Sequence, residues 1–352
     1  MKKYLYILGA LALVAAVFFG ANQFLIHRSG TNPSGNPATD DAQSPFPKLQ
    51  SFSGILKIFE SPAASETAVQ PVSSPQNQAS ASPTVSGDSF SFAIFGDTKE
   101  FSVNDPNGNL EKAVAQVKNL DLKAVFVMGD LIKSCGNGCE NKFNDWKSVM
   151  APLLSKTYEV VGNHDRTGGD SDDAVWQKVF NLPQNGPAGY KELVYSFDIG
   201  NSHFAVLDSE KPKTTIINSV QRDWLDKDLA ATTKEHKFVL YHEPAFQVAQ
   251  DAEDGLDAHP TERDALWSII KKYHVDAVFN GHAHIYARKN IDGIEQIVVG
   301  DTDSTNDDVV QPGHSDFGYK GKSYAIVTVS GKNINLKLFT VDGKQIESFD
   351  FT

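Results

Sequence analysis

The chain opens with an unbroken run of uncharged, mostly apolar positions from Tyr4 to Ile26. It then passes through a long stretch of small and polar residues, and from Ser89 onward settles into short apolar runs separated by amphipathic stretches. The runs at 89–95, 123–128, 158–161, 238–241 and 276–279 have the length and continuity of buried strands. Between them, at 110–119, 218–230 and 261–273, apolar residues recur at helical spacing, which predicts strand–helix crossovers and mostly parallel pairing. After Ile291 the helical spacing fades. Segments 294–299, 323–329 and 334–340 alternate or run apolar, as do 193–199 and 203–207, and these predict a second sheet closed by hairpins. The expectation for residues 89–352 is one α/β domain, a two-sheet β-sandwich flanked by helices.

At about 1.5 Å per helical residue the first apolar run is long enough to cross a bilayer core of about 30 Å. Lys2 and Lys3 precede it and favour a cytoplasmic N-terminus, although Arg28 just beyond it reduces the charge asymmetry. Residues 1–28 therefore read as a signal anchor, an N-terminal transmembrane helix that leaves a single-pass protein in the cell membrane with its large domain extracytoplasmic. The alternative is a cleaved signal peptide and secretion, for which Phe18, Phe19, Gly20 and Ala21 make a poor small-x-small site. Residues 29–88, rich in Ser, Pro, Ala, Thr and Gln, read as a flexible linker, because they bury too little apolar area to offset the entropy of ordering. An apolar island at 46–59 is either part of that linker or a short helix touching the membrane or the domain.

The 40% apolar content allows a sizeable core, and the formal charge of -12 argues against a nucleic-acid partner, whose phosphates are held by clustered Lys and Arg. An acidic protein can still take an anionic substrate if bound cations reverse the local field. The two cysteines, Cys135 and Cys139, enclose Gly136, Asn137 and Gly138, residues that tolerate the positive φ of a tight turn. Export would place them where a disulfide persists.

Four strand ends deliver metal-ligating residue types: Asp97, Asp130, the Asn163-His164-Asp165 run and His242. A fifth carries His282 and His284. Carboxyl ends of parallel strands converge on one crevice, so residues far apart in sequence can share a site. Mixed carboxylate and imidazole donors suit Mn, Fe or Zn better than Ca or Mg alone. Singly, each piece also fits a blander role, a turn, a helix cap or a hydrogen-bonded histidine.

In this order the pieces Gly96-Asp97-Thr98, Gly129-Asp130, Gly162-Asn163-His164-Asp165, His242 and Gly281-His282-Ala283-His284 resemble the calcineurin-like metallophosphoesterase superfamily, with its purple acid phosphatase and cyclic-nucleotide phosphodiesterase branches. The likeness extends to Ser209, Gln221 with Trp224-Leu225, Tyr286 and Arg288. It implies the family's αββα sandwich and a centre of two metal ions. Asp97 and His284 would be ligands of one, Asn163, His242 and His282 of the other, and Asp130 the bridge. A hydroxide activated by both ions, about 3.5–4 Å apart, would attack phosphorus. His164 would bind phosphate and protonate the leaving oxygen as general acid, with Asp165 orienting its ring.

Two positions depart from the family. Many members carry His two residues after the first Asp, and purple acid phosphatases carry Tyr three residues after the second; here these are Lys99 and Lys133. A protonated Lys cannot ligate a cation, so the first ion keeps Asp97, Asp130, His284 and solvent, and Lys99 becomes a candidate for holding substrate phosphate alongside Asn163 and His164. The expected function is metal-dependent hydrolysis of small phosphoric esters. The alternatives are a phosphodiesterase for cyclic nucleotides or glycerophosphodiester-type substrates, and a catalytically weak, metal-holding binding module at the cell surface. His203 reads as a packed, hydrogen-bonded histidine, while His236, His259, His274 and His314 show no partner pattern. The acidic run 301–308 reads as a solvated loop, since as a calcium loop it lacks the sixth-position Gly and the closing Glu.

Overall fold

The computed structural model describes residues 89–249, 255–304 and 313–352. The expected membrane helix, the linker and the 46–59 island lie outside them. Among the described residues no helix is long and apolar enough to cross a membrane.

Two mixed sheets form the domain. The first contains β1 (Ser89–Phe95), β2 (Leu122–Val127), β3 (Thr157–Glu159), β11 (Ser323–Ser330), β12 (Asn333–Thr340) and β13 (Gln345–Phe351), in the order β13-β12-β11-β1-β2-β3. The second contains β4 (Tyr195–Ile199), β5 (Ser202–Val206), β6 (His236–Leu240), β7 (Ala277–Asn280), β8 (Tyr286–Ile291), β9 (Ile294–Val299) and β10 (Phe317–Tyr319), in the order β10-β8-β9-β7-β6-β5-β4. Each has a parallel block: β1-β2-β3 at one edge of the first, with antiparallel strands on its other side, and β5-β6-β7-β9 at the centre of the second, with antiparallel strands on both sides.

This layout corrects the expected division into a parallel sheet and a hairpin sheet. The segments at 323–329 and 334–340 extend the first sheet, whereas 238–241 and 276–279 join the hairpin at 193–207 in the second. Apolar runs mark which segments are strands, but strand order depends on long-range pairing that a run of Val and Phe does not encode.

The sheets meet through aromatic rings. Phe92 of β1 lies edge-on to Phe204, Phe238 and Phe279 of β5, β6 and β7, with ring centroids 5.3, 5.7 and 6.1 Å apart. Phe126 of β2 stacks on Phe204 at 5.2 Å. Helices cover the outer faces. Asn109–Val117 buries Leu110, Ala113, Val114 and Val117, and Ser219–Ala231 is capped by the Asn218 side chain, which accepts from the Gln221 amide. Cys139–Met150 and Asp170–Val179 pack on each other through Phe143 and Trp176. Cys135 and Cys139 form a disulfide, with Gly136 and Gly138 at φ 44° and 74° as their spacing requires.

Candidate metal centre

Every residue of the strand-end pieces lies just past a parallel strand: Asp97 after β1, Asp130 after β2, Asn163 after β3, His242 after β6, and His282 and His284 after β7. The loops touch because glycines precede the donors. Gly129 has φ 92°, and a Cβ there would stand 2.4 Å from His242 Nδ1; at Gly162 it would stand 2.2 Å from the Asp130 nitrogen. Asp97, Asp130 and His282 themselves have φ of 42°, 53° and 68°. Such backbones cost roughly 1–3 kcal/mol each and persist where the surroundings over-determine them, as functional sites do.

Three donor atoms form a closed triangle. Asn163 Oδ1 is 3.0 Å from His242 Nε2 and 3.3 Å from His282 Nδ1, and the two ring nitrogens are 3.3 Å apart. Asp130 Oδ1 lies 3.4 Å from His242 Nε2. Donors about 2.0–2.1 Å from one tetrahedral ion stand about 3.3 Å from each other, so this triangle has the spacing of a metal site, with Asp130 beside it on the His242 side. His242 Nδ1 is 2.6 Å from the Met128 carbonyl oxygen, to which it donates, leaving the Nε2 lone pair facing the triangle. Burial, with His242 beside it, pushes the His282 imidazole down to about 3, so it is neutral, as a ligand must be.

The other half is thinner. Asp97 Oδ1 is buried without a hydrogen-bond partner and lies 3.4 Å from His284 Nε2, while Asp97 Oδ2 accepts the His282 amide at 2.8 Å. Ligand atoms of Asp97, Asp130 and His242 all fall within 4.8 Å of one another. The orphaned oxygen and the donor triangle both fit bound cations.

Lys99, expected on a substrate phosphate, points elsewhere. Its ammonium donates to Asp130 Oδ2 at 2.6 Å, with 9% of the side chain exposed. Burial works against its charge, but Asp130 and Asp97 raise it above its ordinary value. Burial likewise opposes the Asp130 charge, and His242, Lys99 and His164 together hold that carboxyl below the usual range. Lys133 pairs with Glu100 and takes no place among the donors.

His164 stands at the mouth, 38% exposed, with Nε2 3.7 Å from Asp130 Oδ2. Asp165 does not orient its ring. The Asp165 carboxylate accepts the backbone amides of Leu131, Ile132 and Gly162 at 2.9, 3.2 and 3.0 Å, which ties the Asp130 loop to the Asn163 loop. The His164 ring is held instead by the Lys133 carbonyl, 2.5 Å from Nδ1.

The further positions of family likeness mostly brace this centre. Gln221 bonds both the amide and the carbonyl of Asp208, and Ser209 Oγ accepts the Glu243 amide next to His242. Arg288 pairs with Glu347 of β13, away from the donors. The loops after His164 and Ser209 are joined by Asp173, which accepts from Arg166 Nε at 2.7 Å and Lys211 Nζ at 2.6 Å. Sequence reading missed Ser304, whose hydroxyl is 3.1 Å from His284 Nδ1. Residues 301–304 are buried against Gly96 and Asp97 through backbone bonds, correcting the expected solvated loop over its described part; 305–308 lie outside the described residues. The only prior signal was the density of short polar side chains there.

The family model for calcineurin-like phosphoesterases matches residues 90–286. Purple acid phosphatase 21 of Arabidopsis thaliana is 27% identical over 205 residues, covering 54% of this chain and 44% of that protein. Probable inactive purple acid phosphatase 24 of the same plant is 25% identical over 270 residues, covering 69% and 41%. The chain thus spans less than half the length of the curated relatives it matches. Among solved structures, purple acid phosphatase PPD1 from yellow lupin (Lupinus luteus) superposes with a TM-score of 0.62 at 22% identity, over 74% of this chain and 53% of that one. A dimetal phosphatase from Danio rerio gives 0.53 at 16% identity, over 75% and 98%. At these identities the structures speak for the fold alone.

Proposed function

The chain belongs to the calcineurin-like phosphoesterase family, and from that premise we propose that it hydrolyses small phosphoric esters with the help of bound metal ions. The observation that carries this reading is the closed triangle of Asn163, His242 and His282 donors with Asp130 beside it and His164 at its mouth. Asn163, His242, His282 and Asp130 would hold one ion, Asp97 and His284 with Asp130 a second, Mn, Fe or Zn being the candidates. Bound metal would supply Lewis-acid stabilisation of phosphoryl oxygens and water of lowered pKa.

The chain's own groups supply the rest. Nδ1–H of His164 donates to the Lys133 carbonyl, so Nε2 carries a proton only in the imidazolium, the form that can protonate a departing ester oxygen. Asp165 is a positioning residue that holds the two donor loops in register. The loops around Asp173 and Lys211, fixed to each other beside His164, are the natural place for substrate choice.

The test is turnover of p-nitrophenyl phosphate against bis-p-nitrophenyl phosphate with added Mn, Zn or Fe, on wild type and His242→Ala. Metal-dependent hydrolysis lost in the variant is expected. A metal-loaded protein inert on both esters would favour the second reading, a metal-holding binding module, which the Lys99–Asp130 contact recommends. For location, we propose a domain held outside the cytoplasm by residues 1–28 and the 29–88 linker. Protease added to intact cells, or to spheroplasts, should release it; protection until lysis would overturn that placement.

A further inference from the structure

The centre holds one more cationic group than its donor atoms call for. Asp130 divides its two oxygens: Oδ1 faces His242 Nε2 at 3.4 Å and accepts the His164 amide at 3.0 Å, while Oδ2 is taken by the Lys99 ammonium at 2.6 Å. We propose that Lys99 stands in for one of the two cations, so that this protein holds a single metal ion tightly, at Asn163, His242, His282 and Asp130. The proposal rests on the metal-dependent reading above and refines it.

Three arguments converge. The first is donor count. Asn163, His242 and His282 already offer three atoms at mutual spacings that suit one ion, and Asp130 Oδ1 stands 3.4 Å from His242 Nε2 as a fourth donor. Removing Asp130 Oδ2 from the remaining half leaves, among the described residues, Asp97 Oδ1 and His284 Nε2, 3.4 Å apart, as its carboxylate and imidazole donors. Two donors hold an ion loosely.

The second is distance. Any ion using Asp130 Oδ2 would sit about 2.1 Å from that oxygen. Because the Lys99 nitrogen is 2.6 Å from the same atom, ion and ammonium could stand no farther apart than about 4.7 Å. Like charges that close in a buried site repel strongly. The ammonium, with three donors and no lone pair, contributes nothing in return as a ligand.

The third is room. The Lys99 side chain is 9% exposed and Asp130 1%, so the pair is enclosed and Lys99 has little solvent to retreat into. Relative to members with His at this position, the lysine takes away one ligand and adds one positive charge. Both changes act against the same ion.

The experiment measures metal, not rate. The full chain, purified without chelator, is dialysed against buffered Mn²⁺, and bound metal is counted per chain while electron paramagnetic resonance distinguishes isolated from spin-coupled Mn²⁺. Wild type should retain one equivalent with an isolated-ion spectrum, a second binding about 100-fold or more weaker, as repulsion at about 5 Å implies. Lys99→His should bind two equivalents of similar affinity with a coupled spectrum. Lys99→Met, which removes the charge without adding a strong ligand, should tighten the second equivalent relative to wild type but less than Lys99→His does. Two equivalents of matched affinity and a coupled spectrum in wild type would overturn the proposal while leaving metal-dependent hydrolysis standing. So would an unchanged second equivalent in Lys99→Met. A wild type that binds no Mn²⁺, Zn²⁺ or Fe²⁺ would bring down both readings. The wild-type count decides the matter even if a variant fails to fold.

Discussion

The carbonyl oxygen of Lys133 lies 2.5 Å from Nδ1 of His164, and this contact decides which way the exposed ring faces. The acceptor fixes the proton on Nδ1 and aims Nε2 toward Asp130, the side on which a substrate phosphate would bind.

If His164 is the proton donor and not a ligand, His164→Ala should keep bound metal and lose rate by about 10²- to 10⁴-fold. The loss should shrink as the leaving group becomes more acidic, since p-nitrophenolate departs unprotonated. Asn163→Ala removes a corner of the donor triangle and should weaken metal binding and slow every ester alike. The measurement is rate against leaving-group pKa for both variants, with metal determined on the same samples. An unchanged slope in His164→Ala would remove it from the acid role.

Asp165→Asn replaces one carboxylate oxygen by a donor that faces backbone donors from Leu131, Ile132 or Gly162. We expect a stability loss on the order of 1–3 kcal/mol. The slope of rate against leaving-group pKa should stay that of wild type, because the ring is held elsewhere. Denaturant unfolding and the same ester series check both; a stable variant with an altered slope would return Asp165 to the role of ring orienter.

His203 sits between Asp198 and Asp228, with Nδ1 2.7 Å and Nε2 2.8 Å from their oxygens, and so joins the β4–β5 hairpin to the helix Ser219–Ala231. Burial alone would lower its pKa, but Asp228 and Asp198 raise it above the ordinary value. A histidine with a raised folded pKa contributes stability that is complete below its unfolded value, about 6.5, and is lost as pH rises through the folded one. His203→Gln should therefore cost more stability at about pH 5.5 than at about pH 9. Equal losses at both would show that the bridge acts through neutral hydrogen bonds.

Glu159, at the end of β3, also makes the fold lose stability as pH rises, through burial of a carboxyl and not through an ion pair. It lines a cavity of about 410 Å³ with Lys147, Tyr158 and Phe180, and burial pushes its carboxyl up to about 8. The folded chain then binds a proton that the unfolded chain releases between about pH 4.5 and 8, so stability falls across that window. Glu159→Gln should flatten the fall and raise stability above pH 8 by something on the order of 2–4 kcal/mol. Thermal unfolding across the window measures it, and parallel curves for both proteins would refute the account.

The donors were legible because buried apolar runs stop at Gly96-Asp97, Gly129-Asp130, Gly162-Asn163 and Gly281-His282, while His242 follows its apolar run directly. That pattern is local, and together with the convergence of parallel strands at their carboxyl ends it makes Asp97, Asp130, Asn163, His242, His282 and His284 candidates for one site. What holds them was not legible. The Lys133 carbonyl and the amides around Asp165 are backbone atoms that every residue carries, so no side chain announces them. Lys99 was visible as a departure, but its direction was not: a lysine reads alike whether it reaches outward to a phosphate or inward to a carboxylate, and the enclosure around Asp130 decides it. Strand membership failed for a related reason. The segment Ser323–Ser330 could have joined either sheet on its apolar pattern, and it is the pairing with β1 that assigns it.

Asp97, Asp130 and Asn163 come from one sheet, and His242, His282 and His284 from the other. An ion gripped by Asp130, Asn163, His242 and His282 is thus a rivet driven through a seam between two layers whose inner faces otherwise meet through the rings of Phe92, Phe126, Phe204, Phe238 and Phe279. Ring contacts between layers resist separation better than they resist sliding, whereas a rivet resists shear. With an ion bound there, chemistry and mechanics would be lodged in the same few atoms.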